Sequence, residues 1–284
     1  MKQNHHENNV EPIRDIYFHV HLVSDSTGET LVGTSRACCA QYQHGIAVEH
    51  LHALVRSEQQ LEKALASIEG YPGVVFFTLV NPRRRKLLEH RCSELNIPVV
   101  SILDPALATL GRYLGSPMSS EIGAQRTMDV EYFSRIGALD YAMSHDDGQN
   151  IDGLKDADIV LMGISRTSKT PTCIYLANRG FKTGNFPLVA GAQIPPQILS
   201  LKKPLVIGLV SSPDRIVQIR RNRITSLGDN PNTQYVDKQM VRAEMTAAKR
   251  LFAKNNWPTV DVTRRSIEET AARIINLYQD RIGL

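Results

Sequence analysis

Short apolar runs alternate with helical patterns along the first third of this chain. Four runs rich in Val, Ile, Leu and Phe read as strands: IYFHVHLV, IAVEHLHALV, GVVFFTLV and IPVVSIL. Helices are predicted between them, for example from a Ser57 N-cap to Gly70 and from Pro82 to about Leu95. Repeated strand–helix alternation predicts a parallel sheet with helices on its faces.

The same alternation resumes in the last part of the chain. Helices are expected from Lys169 to Gly180, from Pro213, from Val236 to Asn255, and from Ser266, which opens the capping box SIEE. The strands expected between them are ADIVLMG, KPLVIGLV and PTVDV.

A segment between these two parts does not follow the strand–helix alternation. Residues 104–150 carry loop-forming stretches at both ends and one helical stretch, EYFSRIGALDYAMS. We interpret this segment as a bridge. The chain is therefore predicted to be α/β, with an N-terminal parallel-sheet domain over 13–150, bridge included, and a second α/β domain over 151–284.

Composition narrows the function classes. The chain has 284 residues and 42% hydrophobic content, and no apolar run is long enough for a membrane span. The first dozen residues are polar, which predicts a disordered arm and no signal peptide. The four cysteines show no metal-type spacing, so a reducing cytoplasm is expected. A net charge of +4 is too weak to indicate nucleic-acid binding.

The segment GISRTSKT resembles a phosphate-binding loop. In the pattern G-x-x-x-x-G-K-[ST], backbone N–H groups surround phosphates, the lysine contacts the terminal phosphate and the hydroxyl binds Mg²⁺. A predicted strand precedes the segment and a predicted helix follows it, so the helix N-terminus favours an anion. We expect Lys169 to lie on a solvent-facing loop and Thr170 to be a candidate Mg²⁺ ligand. The domain over 151–284 is therefore predicted to be a P-loop-like nucleotide-binding domain, and a purely structural strand–turn–helix is the alternative. The predicted ADP or phosphate site comprises Gly163, Ile164, Ser165, Arg166, Thr167, Ser168, Lys169 and Thr170.

Two departures argue against an ordinary ATPase or GTPase. Ser168 replaces the second glycine, and its extra atoms should change the shape of the phosphate cradle. The neighbouring strand ends in serines where a magnesium aspartate is expected, and Asp214 comes too late to match it.

Two polar stretches are further candidates for chemistry. SDSTGET follows the first strand, and its Asp25, Ser26 and Thr27 form a possible second phosphate site or a simple N-cap turn. HDDG supplies Asp146 and Asp147, which are candidates for a general base or for carboxylate ligands of Mg²⁺. The alternative is that HDDG is a polar interdomain loop.

SDSTGET, HDDG and GISRTSKTPTCIYLANRGFKTGNFPLV together resemble the bacterial pyruvate, phosphate dikinase regulatory protein family, which includes the phosphoenolpyruvate synthetase regulators. The resemblance extends to LVIGLVSSPDRIVQIRRNR and VDVTRRSIEETA, and covers all but about the first dozen residues. In that family a serine in GxxxxSKT is the usual form.

The resemblance implies a bifunctional serine/threonine kinase and phosphorylase. Such an enzyme uses ADP to phosphorylate a threonine of the dikinase, and it removes that phosphate with inorganic phosphate as acceptor and pyrophosphate as product. From the sequence itself, Lys169 and Arg166 are the candidates for the cationic groups, and Asp146 or Asp147 would take the threonine proton or hold Mg²⁺, which is expected as a cofactor. The expected partner is the dikinase, with no nucleic acid and no membrane, and a homodimer is left open. Alternatives are a regulator of phosphoenolpyruvate synthetase, a small-molecule P-loop kinase and a nucleotide-sensing module.

Overall fold

The computed structural model describes residues 15–116, 130–227 and 234–283. The chain divides into two compact units, residues 1–127 and 128–284, and each is described by itself. The N-terminal arm expected before residue 13 lies outside the described residues.

Unit 1 alternates strands and helices as its apolar pattern predicts. Its elements are β1 (Ile16–Ser24), α1 (Glu29–Cys39), β2 (Gly45–His52), α2 (Glu58–Gly70), β3 (Gly73–Thr78), α3 (Pro82–Glu94), β4 (Val99–Ser101) and α4 (Asp104–Leu114). The Ser57 capping box opens α2, and the Asn81 side chain caps α3 by accepting from two backbone N–H groups.

The four strands of unit 1 form one parallel sheet in the order β2-β1-β3-β4. Because side chains alternate along β1, Val23 faces a core that includes Leu61 and Leu88. Val20 and Leu22 face the opposite side and pack with Leu31 of α1. Helices therefore cover both faces of the sheet.

Unit 2 contains the remaining elements. They are α5 (Val130–Ser144), β5 (Ile159–Gly163), α6 (Lys169–Ala177), β6 (Thr183–Pro187), α7 (Pro196–Leu199), β7 (Leu205–Val210), α8 (Pro213–Leu227), α9 (Lys238–Lys254), β8 (Thr259–Asp261) and α10 (Ile267–Ile282). Short 3-10 helices span Ile151–Asp156 and Gln234–Val236.

The sheet of unit 2 is also parallel, with the order β6-β5-β7-β8. Val160 and Met162 of β5 face a core that includes Phe252 of α9, whereas Leu161 faces Leu176 of α6 and Ile274 of α10. In both units the second strand lies on one side of the first strand and the third strand lies on the other side, so the direction of strand addition reverses at the first strand. Ligands in such sheets bind at the carboxyl ends of the strands, beside this change of direction.

The α/β prediction is confirmed by the two parallel sheets. The division between units falls between Thr127 and Met128, whereas the sequence placed it near residue 150. The difference arises because α5 packs Ala138 and Ala142 against Ala177 of α6, so this helix belongs to unit 2.

The sequence reading also missed one strand, β6. In the described part of the chain, no helix is long and apolar enough to cross a membrane.

Candidate functional site

The segment 164–168 forms a tight loop between a buried strand and a helix. All of β5 is buried up to Gly163, and α6 begins at Lys169. No side chain caps the N-terminus of α6. The first N–H groups of this helix are therefore available to an anion, which the helix dipole also favours.

Position 163 requires a glycine, because neighbouring atoms lie too close to its backbone for a side chain to fit. A Cβ at this position would lie 2.6 Å from Oγ1 of Thr167 and 2.9 Å from the carbonyl oxygen of Leu209. A larger residue would push the loop away from β7 and open the turn.

Ser168 adopts the backbone conformation that a glycine would supply. Its φ of 59° and ψ of 27° lie in the left-handed region, and Arg166 is also left-handed with a φ of 73°. Ser168 therefore keeps glycine-type dihedrals and adds a Cβ and a hydroxyl to the loop. The left-handed conformation costs a non-glycine residue roughly 1 kcal/mol.

Lys169 is buried beneath the loop, with only 6% of its surface exposed. The expectation of a solvent-facing lysine is therefore wrong, because Lys169 begins α6 on the side packed against the sheet. Its Nζ donates a 3.2 Å hydrogen bond to the carbonyl oxygen of Ile164, which leaves further ammonium donors for a ligand. Burial lowers the pKa of Lys169, and the nearby carboxylates of Asp147 and Asp146 partly offset this effect.

The carboxylate turn at 145–148 lies against the same loop. Oγ1 of Thr170 donates a 2.8 Å hydrogen bond to Oδ1 of Asp146. The two motifs that the sequence singled out separately, HDDG and GISRTSKT, thus meet in unit 2.

Asn185 of β6 anchors this turn and was missed by the sequence reading. Its Nδ2 donates a 2.5 Å hydrogen bond to Oδ1 of Asp146, and its Oδ1 accepts a 3.1 Å bond from the backbone N–H of Asp147. Its backbone N–H and carbonyl also bond to His145 and Gly148. A buried amide with all these partners fixes the turn in one position.

The two carboxylates differ in their surroundings. Asp146 is half-buried and its Oδ1 accepts from both Thr170 and Asn185. Asp147 is exposed, has a φ of 47°, and its carboxylate has no hydrogen-bond partner within the described residues. Asp147 is therefore the carboxylate that is open to a substrate.

The neighbouring His145 is a structural residue. Its ring stacks on Tyr141 with 3.8 Å between ring centroids, and its Nδ1 lies 2.9 Å from the carbonyl oxygen of Tyr141. Its burial and these contacts leave it no role at the open side of the turn.

A second group of residues supports the loop from the other side. The hydroxyls of Ser165 and Tyr235 lie 2.8 Å apart. Arg220 is almost fully buried, stacks over the Tyr235 ring at 4.3 Å and pairs with Glu244 at 2.7 Å. No local sequence pattern indicated these residues, because they are far from the loop along the chain and contact it only in the folded structure.

A carboxylate is absent from the end of the neighbouring strand β7 in the described structure. Ser211 follows β7, is 5% exposed, and its Oγ has no hydrogen-bond partner there. Asp214 lies in the first turn of α8 and pairs with Lys238 at 2.6 Å. Asp214 thus forms its ion pair away from the loop 164–168. This agrees with its position in the sequence, which is too far along the chain to match the expected magnesium aspartate.

Comparison with known proteins assigns the chain to a family. A family model described as kinase/pyrophosphorylase matches residues 20–275. The chain belongs to the kinase/pyrophosphorylase family.

Curated relatives match over nearly their whole length. A protein of Maricaulis maris is 57% identical over 94% of this chain and 95% of its own length. A protein of Caulobacter vibrioides is 54% identical over 94% of this chain and 85% of its own. Both are provisionally named pyruvate, phosphate dikinase regulatory protein.

Solved structures add little to this assignment. The A domain of carboxylic acid reductase from Segniliparus rugosus is 11% identical, with a TM-score of 0.24, over 89% of this chain and 49% of that one. A score this low supports no conclusion about the fold.

The SDSTGET segment lies in unit 1. Asp25 is buried, its Oδ2 accepts a 2.7 Å hydrogen bond from the backbone N–H of Val80, and its carbonyl oxygen accepts from Nε of Arg56. The Asp25 carboxylate thus ties the loop after β1 to the loop after β3. Ser26 is half-buried and Thr27 is exposed. Asp25 has a structural role here, and a second phosphate site at these residues stays a prediction.

Proposed function

We propose that this chain is a bifunctional regulator of pyruvate, phosphate dikinase. In one reaction it would transfer the β-phosphoryl group of ADP to a threonine of the dikinase and so inactivate it. In the other it would transfer that phosphate to inorganic phosphate, release pyrophosphate and reactivate the dikinase. The kinase/pyrophosphorylase family and the names of the relatives support this proposal.

The contact between Thr170 and Asp146 carries the proposal. It joins an anion-binding loop to a pair of carboxylates, which are the two parts that phosphoryl transfer to a hydroxyl requires. The loop would hold the phosphates through the N–H groups of α6 and through Lys169. The charge of Lys169 would stabilise the transferring group in a site that excludes water.

In the kinase direction, the threonine oxygen would form a bond to the β-phosphorus of ADP. The bond from that phosphorus to the bridging oxygen would break, and AMP would leave. Asp147 is the proposed acceptor of the threonine proton, because its carboxylate is exposed and unbonded in the described structure. Asp146 would hold the Thr170 hydroxyl in place.

In the phosphorylase direction, an oxygen of inorganic phosphate would attack the phosphothreonine phosphorus. The bond to the threonine oxygen would break, that oxygen would take up the proton that the attacking phosphate loses, and pyrophosphate would leave. Both reactions place a phosphoryl group between two oxygens near cationic donors, so we assign them to one site.

The residues at the loop fit a magnesium ion. Mg²⁺ is usually held by one or two carboxylates together with substrate phosphates, so it needs no cage of protein ligands. The described residues contain no group of three or more His, Cys, Asp or Glu side chains that would form such a cage. Thr170 and Asp146 would hold the ion. When bound, it would neutralise charge on the phosphates.

Incubation with purified dikinase and either ADP or ATP tests the proposal. We expect phosphothreonine on the dikinase with ADP alone, and pyrophosphate release when inorganic phosphate is added to the phosphorylated dikinase. Phosphorylation of a small molecule with ATP would indicate a metabolite kinase, and ADP binding without transfer would indicate a sensor. A parallel incubation with phosphoenolpyruvate synthetase tests that alternative partner.

A further inference from the structure

A cavity of about 880 Å³ opens at the carboxyl edge of the unit 2 sheet. It lies between the start of α8 and the turn after β8, and it is lined by Ser212, Asp214, Arg215, Gln218, Thr263, Arg264 and Arg265. Its volume falls within the roughly 300–1,000 Å³ that is typical of small-molecule sites.

The cavity shares an edge with the phosphate loop. All four strands of this sheet are parallel, so the segments after β5, β7 and β8 emerge on the same side. Because adjacent strands lie about 4.8 Å apart, the end of β8 is roughly 10 Å from the end of β5. The strand β7 lies between β5 and β8, and it is followed by Ser211, which is buried and whose hydroxyl has no hydrogen-bond partner in the described part of the chain.

A hydrogen-bonded chain holds the arginine-bearing turn in place. The backbone N–H and the hydroxyl of Thr263 both donate to Oδ1 of Asp261, at 2.8 and 2.5 Å. Oγ1 of Thr263 in turn accepts a 2.9 Å bond from the backbone N–H of Ser212. The turn after β8 is thereby fixed to the start of α8, and the cavity between them is preformed.

The guanidinium groups around the cavity are open to a ligand. Within the described residues, Arg264 and Arg265 form neither an ion pair nor a hydrogen bond. The guanidinium of Arg215 donates to Oε1 of Gln218, at 3.0 Å, and its backbone N–H donates to Oγ of Ser212. The planar guanidinium group of arginine stacks on nucleobases, and the amide of Gln218 can bond to a base edge or a ribose hydroxyl.

We infer that this cavity is the nucleoside subsite of the nucleotide site, with Arg264 or Arg265 stacking on the base. The inference rests on the proposed function. A nucleoside diphosphate whose phosphates lie in the loop 164–168 must place its base and ribose beside that loop. The cavity offers room and stacking planes at the required edge of the sheet, and it is far larger than a phosphate ion needs.

Binding measurements on the full chain test this inference separately from catalysis. We would compare the wild type with the double variant Arg264→Gln/Arg265→Gln and with Arg215→Gln, using ADP and pyrophosphate as ligands. We expect the ADP dissociation constant of the double variant to rise about tenfold or more, because base stacking is lost, while pyrophosphate binding is unchanged. Pyrophosphate is the matched probe, since it occupies only the loop and responds at least as strongly to a general loss of positive charge.

A double variant on α9, Arg242→Gln/Arg250→Gln, provides a control with the same change in charge. The inference would be overturned if the cavity variants lost affinity for ADP and for pyrophosphate to the same extent. It would also be overturned if these variants bound ADP with the affinity of the wild type. A higher KM for the dikinase with unchanged ADP affinity would assign the cavity to the protein substrate instead. If the wild type binds ADP but transfers no phosphate, the proposed function fails while the subsite is still tested.

Discussion

Oδ1 of Asp146 accepts hydrogen bonds from the hydroxyl of Thr170 and from the side-chain amide of Asn185. One carboxylate oxygen thus links the first turn of α6, the turn after α5 and the middle of β6. The three segments are distant along the chain, and this contact assembles them into one site.

Asn185→Ala should damage catalysis by releasing the carboxylate turn. The buried amide bonds to Asp146 and to the backbone of Asp147, and we expect its loss to cost about 1–3 kcal/mol of stability. Phosphate transfer should fall more than ADP affinity, because the loop itself stays intact. Urea denaturation and the two reaction rates measure these effects. Asn178→Ala, at an exposed amide that follows α6, is the control, and an equal loss there would contradict the role of Asn185.

Asp147→Asn should reduce the kinase reaction by about 100-fold or more, since the threonine hydroxyl loses its proton acceptor. Asparagine tolerates the positive φ of this position, so the fold should be retained. ADP affinity, measured by calorimetry, should change little. Asp146→Asn should instead affect both reactions, because it disturbs the bond to Thr170. A fully active Asp147→Asn enzyme would require another base.

Lys169→Met should abolish both reactions without unfolding the protein. Burial lowers the pKa of Lys169, so the charged lysine destabilises the free protein below its ordinary pKa of 10.5. Methionine removes that charge and keeps the length of the side chain. We expect a Tm equal to or above that of the wild type, with activity reduced at least about 100-fold. Loss of only one reaction would indicate two separate centres, and SDSTGET would become the candidate for the second.

Ser168→Gly should relieve the left-handed strain and raise stability by up to about 1 kcal/mol. We also expect a weaker preference for ADP over ATP, since the serine's extra atoms help to shape the cradle. Ser168→Val should destabilise the protein, because a β-branched residue disfavours this conformation. Thermal denaturation and rates with each nucleotide test both effects. An unchanged nucleotide preference would place selectivity elsewhere.

Unit 1 should lose stability in mild acid through a histidine cluster. Nδ1 of His21 lies 3.1 Å from Nε2 of His52, and the His21 and His50 rings stack at 4.6 Å. Burial, followed by repulsion from His21 and His50, lowers the pKa of His52 from 6.5 to about 4. Because the folded pKa is the lower one, the stabilisation is complete above pH 6.5 and is lost as the pH falls towards 4.

Urea denaturation between these pH values measures this effect. His52→Gln should flatten the dependence of stability on pH, since glutamine does not titrate in this range. His90→Gln, at an exposed histidine on α3, is the control. An unchanged pH dependence in His52→Gln would show that the cluster does not govern it.

The sequence by itself determined the class of fold and the position of the loop between β5 and α6. Apolar periodicity marks elements that bury one face, and caps such as Ser57 and Ser266 mark where helices begin. Both signals are local, so the parallel α/β architecture and the strand–loop–helix around Gly163 could be predicted from them.

Only the tertiary structure decided how the site is assembled. The strand β6 lacks an apolar run, because it lies at a sheet edge, where Pro187 is tolerated, and it buries the polar Asn185. That burial is possible because Asp146 and the turn 145–148 satisfy the amide. Lys169 is likewise buried by the packing of α6 on the sheet. Contacts between segments so distant along the chain are set by strand order, and local periodicity does not record strand order.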